Sequence, residues 1–229
     1  MVPIFFVITI LLLVSIDAIL QSKKKRETAA QPVLATSPTG FAEGLGSPAG
    51  LFLHPGHTWM ELQAVGTVRM GLDAFLTRTL GRIDSVRLLV SGSGERIRQG
   101  QPLLAVERDG KTVVLPSPVS GTLRTTNKAV TDAPASIAAS PYRSWLCVIE
   151  PSRLGQELST LKVAENAKLW LQNEASRFSN WVANLGAGGA VPALPDGGVP
   201  PVGVMGELGE AQWADFQQEF LKVEPVAEA

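Results

Sequence analysis

The feature that most limits how this chain can fold is the dipeptide Asp109-Gly110, which lies between two apolar runs. The runs are residues 102–106 and 112–115, and each has the length of a strand. A type I′ hairpin turn needs positive φ at both central residues, and Asp-Gly adopts that conformation at little cost. The stretch is therefore predicted to be a β-hairpin, with Lys111 directly after its turn.

Residues 107–121, ERDGKTVVLPSPVSG, resemble the modification hairpin of lipoyl domains and of the glycine cleavage system H protein. In that family Glu-x-x-Lys at a hairpin tip is followed by a strand and then by Pro-Val-Ser-Gly. Counting forward from Glu107 and backward from Pro118 leads in both cases to Gly110 as the position of the lipoyl lysine. Lys111 comes one residue later, and a shift of one residue sends a strand side chain to the other face.

The resemblance to the H protein begins at His57 and continues to residue 146. It is carried by four further segments: His57-Thr58-Trp59, residues 71–75, residues 80–83 and residues 141–146. They are similar to the family's His-x-Trp, its Gly-Ile-Thr helix segment, its Leu-Gly-Asp-Ile and its Pro-Tyr…Gly-Trp-Leu ending. The resemblance implies a mainly β fold, a flattened barrel sandwich of the lipoyl and H-protein type with a C-terminal helix. The short apolar runs separated by Gly-bearing turns indicate the same class without the family.

An apolar N-terminal run predicts a membrane anchor over residues 1–22. Residues 2–20 are apolar apart from three side chains, of which Asp17 carries a charge, and about 20 such residues span the hydrocarbon core of a bilayer as a helix. A basic cluster, residues 23–26, follows the run, so the positive-inside rule predicts an outside N-terminus and a cytoplasmic domain at the inner membrane. Asp17 either reaches the membrane interface or contacts another membrane helix.

Composition divides the rest of the chain into four parts. Ala, Pro, Gly, Ser and Thr dominate residues 23–55, which are predicted to be a linker or arm. Residues 56–185 are the predicted H-protein-like domain with its helix, residues 186–206 a Gly/Pro-rich arm, and residues 207–229 a short amphipathic helix and tail.

Two stretches with helical periodicity carry aromatic residues that are candidates for binding a partner. Apolar residues recur every three or four positions between residues 154 and 185, which indicates one or two amphipathic helices. Packing on the sandwich or docking onto a partner or bilayer surface would each bury that face. The expected partner-binding residues, besides Asp17, are Trp170, Phe178, Trp181, Trp213, Phe216 and Phe220.

Several functional classes are disfavoured by composition. The net charge of −1 and the absence of mixed aromatic and basic patches argue against nucleic-acid binding. Cys147 is the single cysteine, lies in an apolar run and is expected to be a small buried hydrophobe, so neither a disulfide nor a cysteine metal site is predicted. His54 and His57 are the two histidines, both at the start of the domain, and no Gly-x-Ser-x-Gly occurs. We therefore expect no catalytic residues, no metal and no small-molecule substrate.

The favoured interpretation is a non-catalytic, membrane-anchored accessory or assembly subunit of an integral-membrane complex. A respiratory (electron transport), photosynthetic or transport complex would each suit it, and the domain would serve as a structural module without lipoate. The alternative is a membrane-tethered carrier with lipoate on Lys111. An efflux adaptor is disfavoured because a helical hairpin splits the lipoyl-like domain of that family, whereas Asp109-Gly110 joins the two halves here.

Overall fold

The protein is described here by a computed structural model that covers residues 39–42, 45–187 and 199–222. These residues form ten strands in two antiparallel sheets. The strands are β1 (Leu51–His54), β2 (Thr58–Leu62), β3 (Val68–Leu72), β4 (Ser85–Leu88), β5 (Arg96–Ile97), β6 (Pro102–Arg108), β7 (Lys111–Pro116), β8 (Gly121–Thr126), β9 (Cys147–Pro151) and β10 (Lys162–Val163). The prediction of a mainly β fold is confirmed.

The larger sheet has the strand order β10-β1-β2-β3-β9-β8-β5, and the smaller one has the order β4-β6-β7. The hairpin predicted around Asp109-Gly110 joins β6 to β7, with Arg108 opposite Lys111 at its end. Asp109 has a φ of 50° and Gly110 a φ of 74°, so both central residues have the positive φ that the turn requires. The turn places Lys111 as the first residue of β7, which is an edge strand.

The helices are short apart from one. They are α1 (Thr39–Ala42), α2 (Ala74–Leu80), α3 (Lys128–Thr131), α4 (Ala135–Ala139), α5 (Leu154–Glu157), α6 (Ala164–Ala187) and α7 (Glu210–Phe216), with 3-10 turns at Leu158–Thr160 and Val204–Glu207 and a π-helical turn at Gln217–Leu221. Asp73 caps α2 by accepting a hydrogen bond from the Leu76 N–H, and the helix ends at Gly81, which has a φ of 68°. The helical period predicted over residues 154–185 corresponds to α5 and α6.

Both sheets contribute to one hydrophobic core, and a cluster of aromatic rings extends it. Met60 and Met70 enter it from the larger sheet and Leu104 and Val106 from the smaller one. The aromatic rings come from α1, α2, α6 and the last described helical turns: Phe41, Phe75, Phe178, Phe216 and Phe220. The burial of these large side chains is the main favourable term in folding, at about 1.5–3 kcal/mol for each one.

Two predicted boundaries are wrong, because segments expected to be arms belong to the domain. Residues 23–55 were expected to be a linker, yet Phe41 and Leu45 are buried in the core and β1 pairs with β2. The domain therefore begins before residue 56. Residues 199–222, named the C-terminal segment below, pack against the domain as well, and Val204, Met205 and Leu208 are buried. The C-terminal segment, which was predicted to be the end of an arm and a separate helix, is thus part of the core.

The predicted anchor, residues 1–22 with Asp17, lies outside the described residues, as does the middle of the predicted Gly/Pro arm. Among the residues that are described, no helix combines the length and the apolar character needed to cross a membrane.

Candidate functional site at the hairpin

The tip of the β6–β7 hairpin is exposed at the residue where the sequence comparison places the modified lysine. Asp109 and Gly110 both face solvent, and a Cβ added to Gly110 would meet no atom within 4 Å. The positive φ of Gly110 would still strain any other residue there. Gly110 itself presents no side chain with which to bind a group.

The amine of Lys111, in contrast, is held by the C-terminal segment. Its Nζ donates hydrogen bonds to the carbonyl oxygens of Leu208, at 2.6 Å, and of Gly206, at 3.4 Å. It also lies 5.8 Å from the centroid of the Trp213 ring, which is within the range of a cation–π contact. Lys111 is partly buried. Its ammonium group therefore binds one carbonyl within the Val204–Glu207 turn and one directly after it.

Arg108, across the hairpin from Lys111, binds the same segment. Its Nη1 donates hydrogen bonds to the carbonyl oxygens of Leu80 and of Gly203, the latter at 2.8 Å. A Cβ on Gly206 would collide with the guanidinium group, so the absence of a side chain at that position is required for this packing. The Arg108 side chain is 15% exposed. Arg108 and Lys111 therefore join the hairpin to three carbonyls of the C-terminal segment.

The C-terminal segment also covers the outer edge of β7. The backbone N–H of Val114 donates a 2.8 Å hydrogen bond to Oε1 of Gln217. The end of the segment also approaches the β1–β2 turn, where a Cβ on Gly56 would lie 2.5 Å from the carbonyl oxygen of Leu221. Unpaired strand edges invite other strands to pair with them. Here part of that edge is satisfied within the chain.

On the other side of the turn, two arginines and two aspartates form an ion-pair network. Asp109 accepts hydrogen bonds from Arg82 at 2.6 Å and from Arg108 at 3.1 Å, while Arg82 also pairs with Asp84 at 2.8 Å. The hydrogen bond from the Asp109 backbone N–H, followed by the nearby Arg82, lowers the pKa of Asp84. These ion pairs join the hairpin turn to the loop that follows α2.

Four of the aromatic residues expected to bind a partner are buried inside the chain, so the prediction is wrong for those four. The Phe178 ring lies 5.8 Å from the rings of both Phe216 and Phe220, and Phe220 also lies 5.9 Å from Phe75. The buried members of the expected set are Phe178, Trp213, Phe216 and Phe220; Trp170 and Trp181 are half-buried. The amphipathic face of α6 is covered by the C-terminal segment, and both belong to one core.

His57 is the buried polar centre beside these rings. Its Nδ1 donates a 2.8 Å hydrogen bond to Oδ2 of Asp73, and its ring stacks between Phe75 and Trp170 at centroid distances of 4.2 and 4.9 Å. Its Nε2 lies 4.0 Å from Glu174 and has no hydrogen-bond partner among the described residues. Stacked aromatic rings cover both faces of the imidazole, and it is fully buried. We assign His57 a structural role in joining α2 to α6.

His54 gives folding stability a defined pH dependence. Burial, and then the neighbouring His57 and Lys222, lower the pKa of His54 from 6.5 to about 4. The folded state thus prefers neutral His54, so its contribution is complete above pH 6.5 and is lost as the pH falls toward 4. Between pH 7.5 and pH 5 we expect a loss of about 2 kcal/mol in the free energy of unfolding.

Urea unfolding at the two pH values measures this effect. The His54→Gln variant is the control, because its amide can still accept the hydrogen bond that the Gly56 N–H donates to the imidazole. We expect the variant to lose about 2 kcal/mol less than the natural protein over the same pH range. Equal losses in both proteins would contradict the assignment to His54.

Another prediction from the sequence concerns the single cysteine. Cys147 is fully buried, as predicted, and burial raises the pKa of its thiol to about 12, which makes it a poor nucleophile. Within the described part of the chain, no three His, Cys, Asp or Glu side chains are placed to hold a metal ion.

Sequence reasoning missed the residues that organise the site. Nothing in the sequence distinguishes Arg108 from the other arginines, since its acceptors are backbone carbonyls far along the chain. His57 was recognised as part of a motif, but its contacts with Asp73 and Glu174 were not. The position of Asp73 just before an apolar helical stretch was a usable signal, because aspartate is a preferred N-cap residue.

Comparison with known proteins gives a consistent family. The chain is similar to the glycine cleavage system H protein of Methylococcus capsulatus, with 35% identity over 109 residues, which are 48% of this chain and 84% of that protein. It is 31% identical over 124 residues to the probable glycine cleavage system H protein of Pyrococcus abyssi, covering 54% and 91% of the two chains. A crystal structure of the H protein from Mycobacterium marinum matches with 27% identity and a TM-score of 0.47, covering 54% of this chain and 98% of that one.

The family model of the glycine cleavage H-protein matches residues 52–174, just over half of the chain. This range includes β2, the β6–β7 hairpin and the start of α6, all of which carry the geometry described above. The chain belongs to the glycine cleavage H-protein family.

Proposed function

We propose that this protein is a non-catalytic accessory subunit that uses the H-protein domain as a structural module without lipoate. One observation carries the proposal: the Lys111 amine is bound to the carbonyl oxygens of Leu208 and Gly206. The hairpin that presents a lysine in the family is used here to hold the C-terminal segment.

The chemistry of a carrier explains why this matters. H proteins are non-catalytic lipoyl carriers, in which the cofactor performs the reaction and the protein supplies an ε-amine to which it is attached. Gly110 offers no amine at the exposed turn. To be acylated, Lys111 would have to release the two carbonyls and lose its positive charge, so the carbonyls would lose a charged donor.

The alternative function is a lipoyl carrier with the cofactor on Lys111. Membership of the family favours it, and so does the partly exposed position of Lys111 beside the tip. The two proposals differ in whether Lys111 carries a lipoyl group, and this difference can be measured as a mass.

Lipoate attachment is therefore the decisive test. We expect the intact mass of protein purified from its own host to equal that of the polypeptide, since Gly110 occupies the position of the lipoyl lysine in the family. A Lys111→Arg variant provides the matched control, because any lipoyl-sized increment that it removes must have been on Lys111. A lipoyl increment on the peptide that contains Lys111 would establish the carrier function instead.

The sequence supports a second part of the proposal, that the domain is tethered to the inner membrane by residues 1–22. Apolar residues 2–20 followed by the basic residues 23–26 motivate it. The partner would then be an integral-membrane complex, and a respiratory, photosynthetic or transport complex would each be compatible. The buried aromatic residues are not proposed to contact that complex.

Protease protection tests the tether and its direction. With the N-terminus outside, protease added to spheroplasts should leave the domain intact, and protease added to inverted vesicles should digest its exposed loops. A chain with residues 2–20 deleted should leave the membrane fraction. Digestion of the domain in intact spheroplasts would reverse the topology, and an unchanged distribution of the deleted chain would exclude the tether.

A further inference from the structure

A pocket lies where α3 meets the two sheets. Its volume is about 330 Å³, near the lower end of the usual range of about 300–1,000 Å³ for small-molecule sites. Strands β4 and β6 of the smaller sheet line it, together with the end of β8 and the residue before β9 from the larger sheet. Lys128 and Thr131 of α3 border it. A pocket of this size suits a small molecule and not an extended chain.

The floor of the pocket is apolar. Val86 and Leu88 come from β4, Leu104 comes from β6, and Leu146 directly precedes β9. Leu104 and Leu146 belong to the hydrophobic core, so the floor is held in place by the packing of both sheets. Contact with these side chains would remove apolar surface of a ligand from water, which is favourable. The floor therefore favours a ligand with a short aliphatic body.

Two opposite charges border the pocket. Lys128 is the first residue of α3 and Asp132 is its C-cap, four residues later, so their side chains lie on the same side of the helical turn. Both residues are exposed. Among the residues that the structure describes, neither the Lys128 ammonium nor the Asp132 carboxylate has a hydrogen-bond or ion-pair partner. An unpaired cation and an unpaired anion therefore stand together beside an apolar floor.

We propose that this pocket binds a small free amino acid with an aliphatic side chain. The carboxylate of the ligand pairs with Lys128, its ammonium group pairs with Asp132, and its side chain lies on the apolar floor. A ligand with one charge is disfavoured, because Asp132 repels a carboxylate and Lys128 repels an amine. Gly110 and Lys111 do not line the pocket, and the proposal holds whether or not the protein carries lipoate.

Amide NMR spectra of the full chain in an uncharged detergent test the site, with L-leucine as the probe. We expect saturable shifts in the amide signals of residues 126–132 and of Leu88. Lys128→Gln and Asp132→Asn should each weaken binding by roughly three- to tenfold, because single exposed ion pairs are weak. Lys168→Gln is the matched control, since Lys168 is exposed and lies outside the pocket, and it should bind L-leucine as the natural protein does.

Three analogues of the probe test its parts separately. Isocaproate lacks the ammonium group of leucine, isoamylamine lacks the carboxylate, and glycine lacks the aliphatic side chain. Each should bind more weakly than L-leucine does. Absence of saturable shifts at these residues, or equal weakening by Lys128→Gln and Lys168→Gln, would overturn the proposal. Isocaproate or isoamylamine binding as tightly as L-leucine would overturn the requirement for both charges, and glycine doing so would overturn the role of the floor.

Discussion

Phe220→Ala is expected to lower the free energy of unfolding by about 3–5 kcal/mol, the usual cost of removing a buried phenylalanine ring. Phe220 is 2% exposed, and its ring lies within 6.0 Å of four others, those of Phe75, Phe178, Trp181 and Phe216. The cavity left by the substitution would open in the middle of this cluster. A loss of stability this large in the isolated protein identifies Phe220 as a core residue, because a residue that binds only a partner would contribute little to the stability of the free chain.

Guanidinium unfolding followed by tryptophan fluorescence gives the measurement. Val202→Ala is the matched control, because Val202 is an apolar residue of the same segment that is 65% exposed, and it should change stability by less than about 0.5 kcal/mol. Combining Phe220→Ala with Phe178→Ala should give a coupling energy of at least about 0.5 kcal/mol, as expected for rings in contact. A small effect of Phe220→Ala would mean that the C-terminal segment is not part of the core, and would support the original prediction of an arm.

Arg108→Met is expected to destabilise the protein by about 2–4 kcal/mol. Methionine fills part of the space but removes the donors for the carbonyls of Leu80 and Gly203, and each buried group left without a partner costs about 1–3 kcal/mol. The loss of the Asp109 ion pair adds little, because Asp109 is 42% exposed and exposed ion pairs are weak.

Two further substitutions make this result interpretable. Lys111→Met removes a partly buried cation, and water can replace it at the carbonyl of Gly206, which is itself partly exposed, so we expect a smaller loss of about 1 kcal/mol. Arg98→Met removes an exposed arginine and should have almost no effect. If Arg108→Met were as harmless as Arg98→Met, the hairpin would not be holding the C-terminal segment.

The hairpin could be predicted because its determinants are local. Asp109-Gly110 readily adopts the pair of positive φ angles that the turn requires, and the apolar runs that form β6 and β7 lie within a few positions of it. The offset that places Gly110, and not Lys111, at the expected acceptor position also comes from counting along a short stretch. Local signals of this kind need no knowledge of the rest of the fold.

The C-terminal segment could not be placed in the same way. The spacing of Trp213, Phe216 and Phe220 correctly indicated a helix, since periodicity shows that one face will be buried. It does not show what will cover that face. Here the cover is α6, with Phe178 at its centre, so an amphipathic pattern interpreted as a docking surface is satisfied within the chain.

The start of the domain was missed for a related reason. Phe41 and Leu45 are isolated apolar residues among Gly, Ser and Pro, so composition predicted an arm there. In the structure each of them fills a space that exists only after distant elements have assembled; the Phe41 ring lies 5.2 Å from that of Phe178. Contacts of this kind depend on tertiary structure and leave no periodic signal.

The hydrogen bonds between the hairpin and the C-terminal segment have a consequence for the order of folding during synthesis. Those of Lys111 to Leu208 and of Val114 to Gln217 join residues 97 and 103 positions apart. Pairing across such distances slows folding, because a long loop must close before the contact forms. While the nascent chain grows, β7 therefore has an uncovered edge and Phe75 an incomplete shell until residues 208–220 emerge. A ribosome that pauses between these regions would expose an aggregation-prone intermediate. We therefore expect chaperones to bind the nascent chain during this interval of translation.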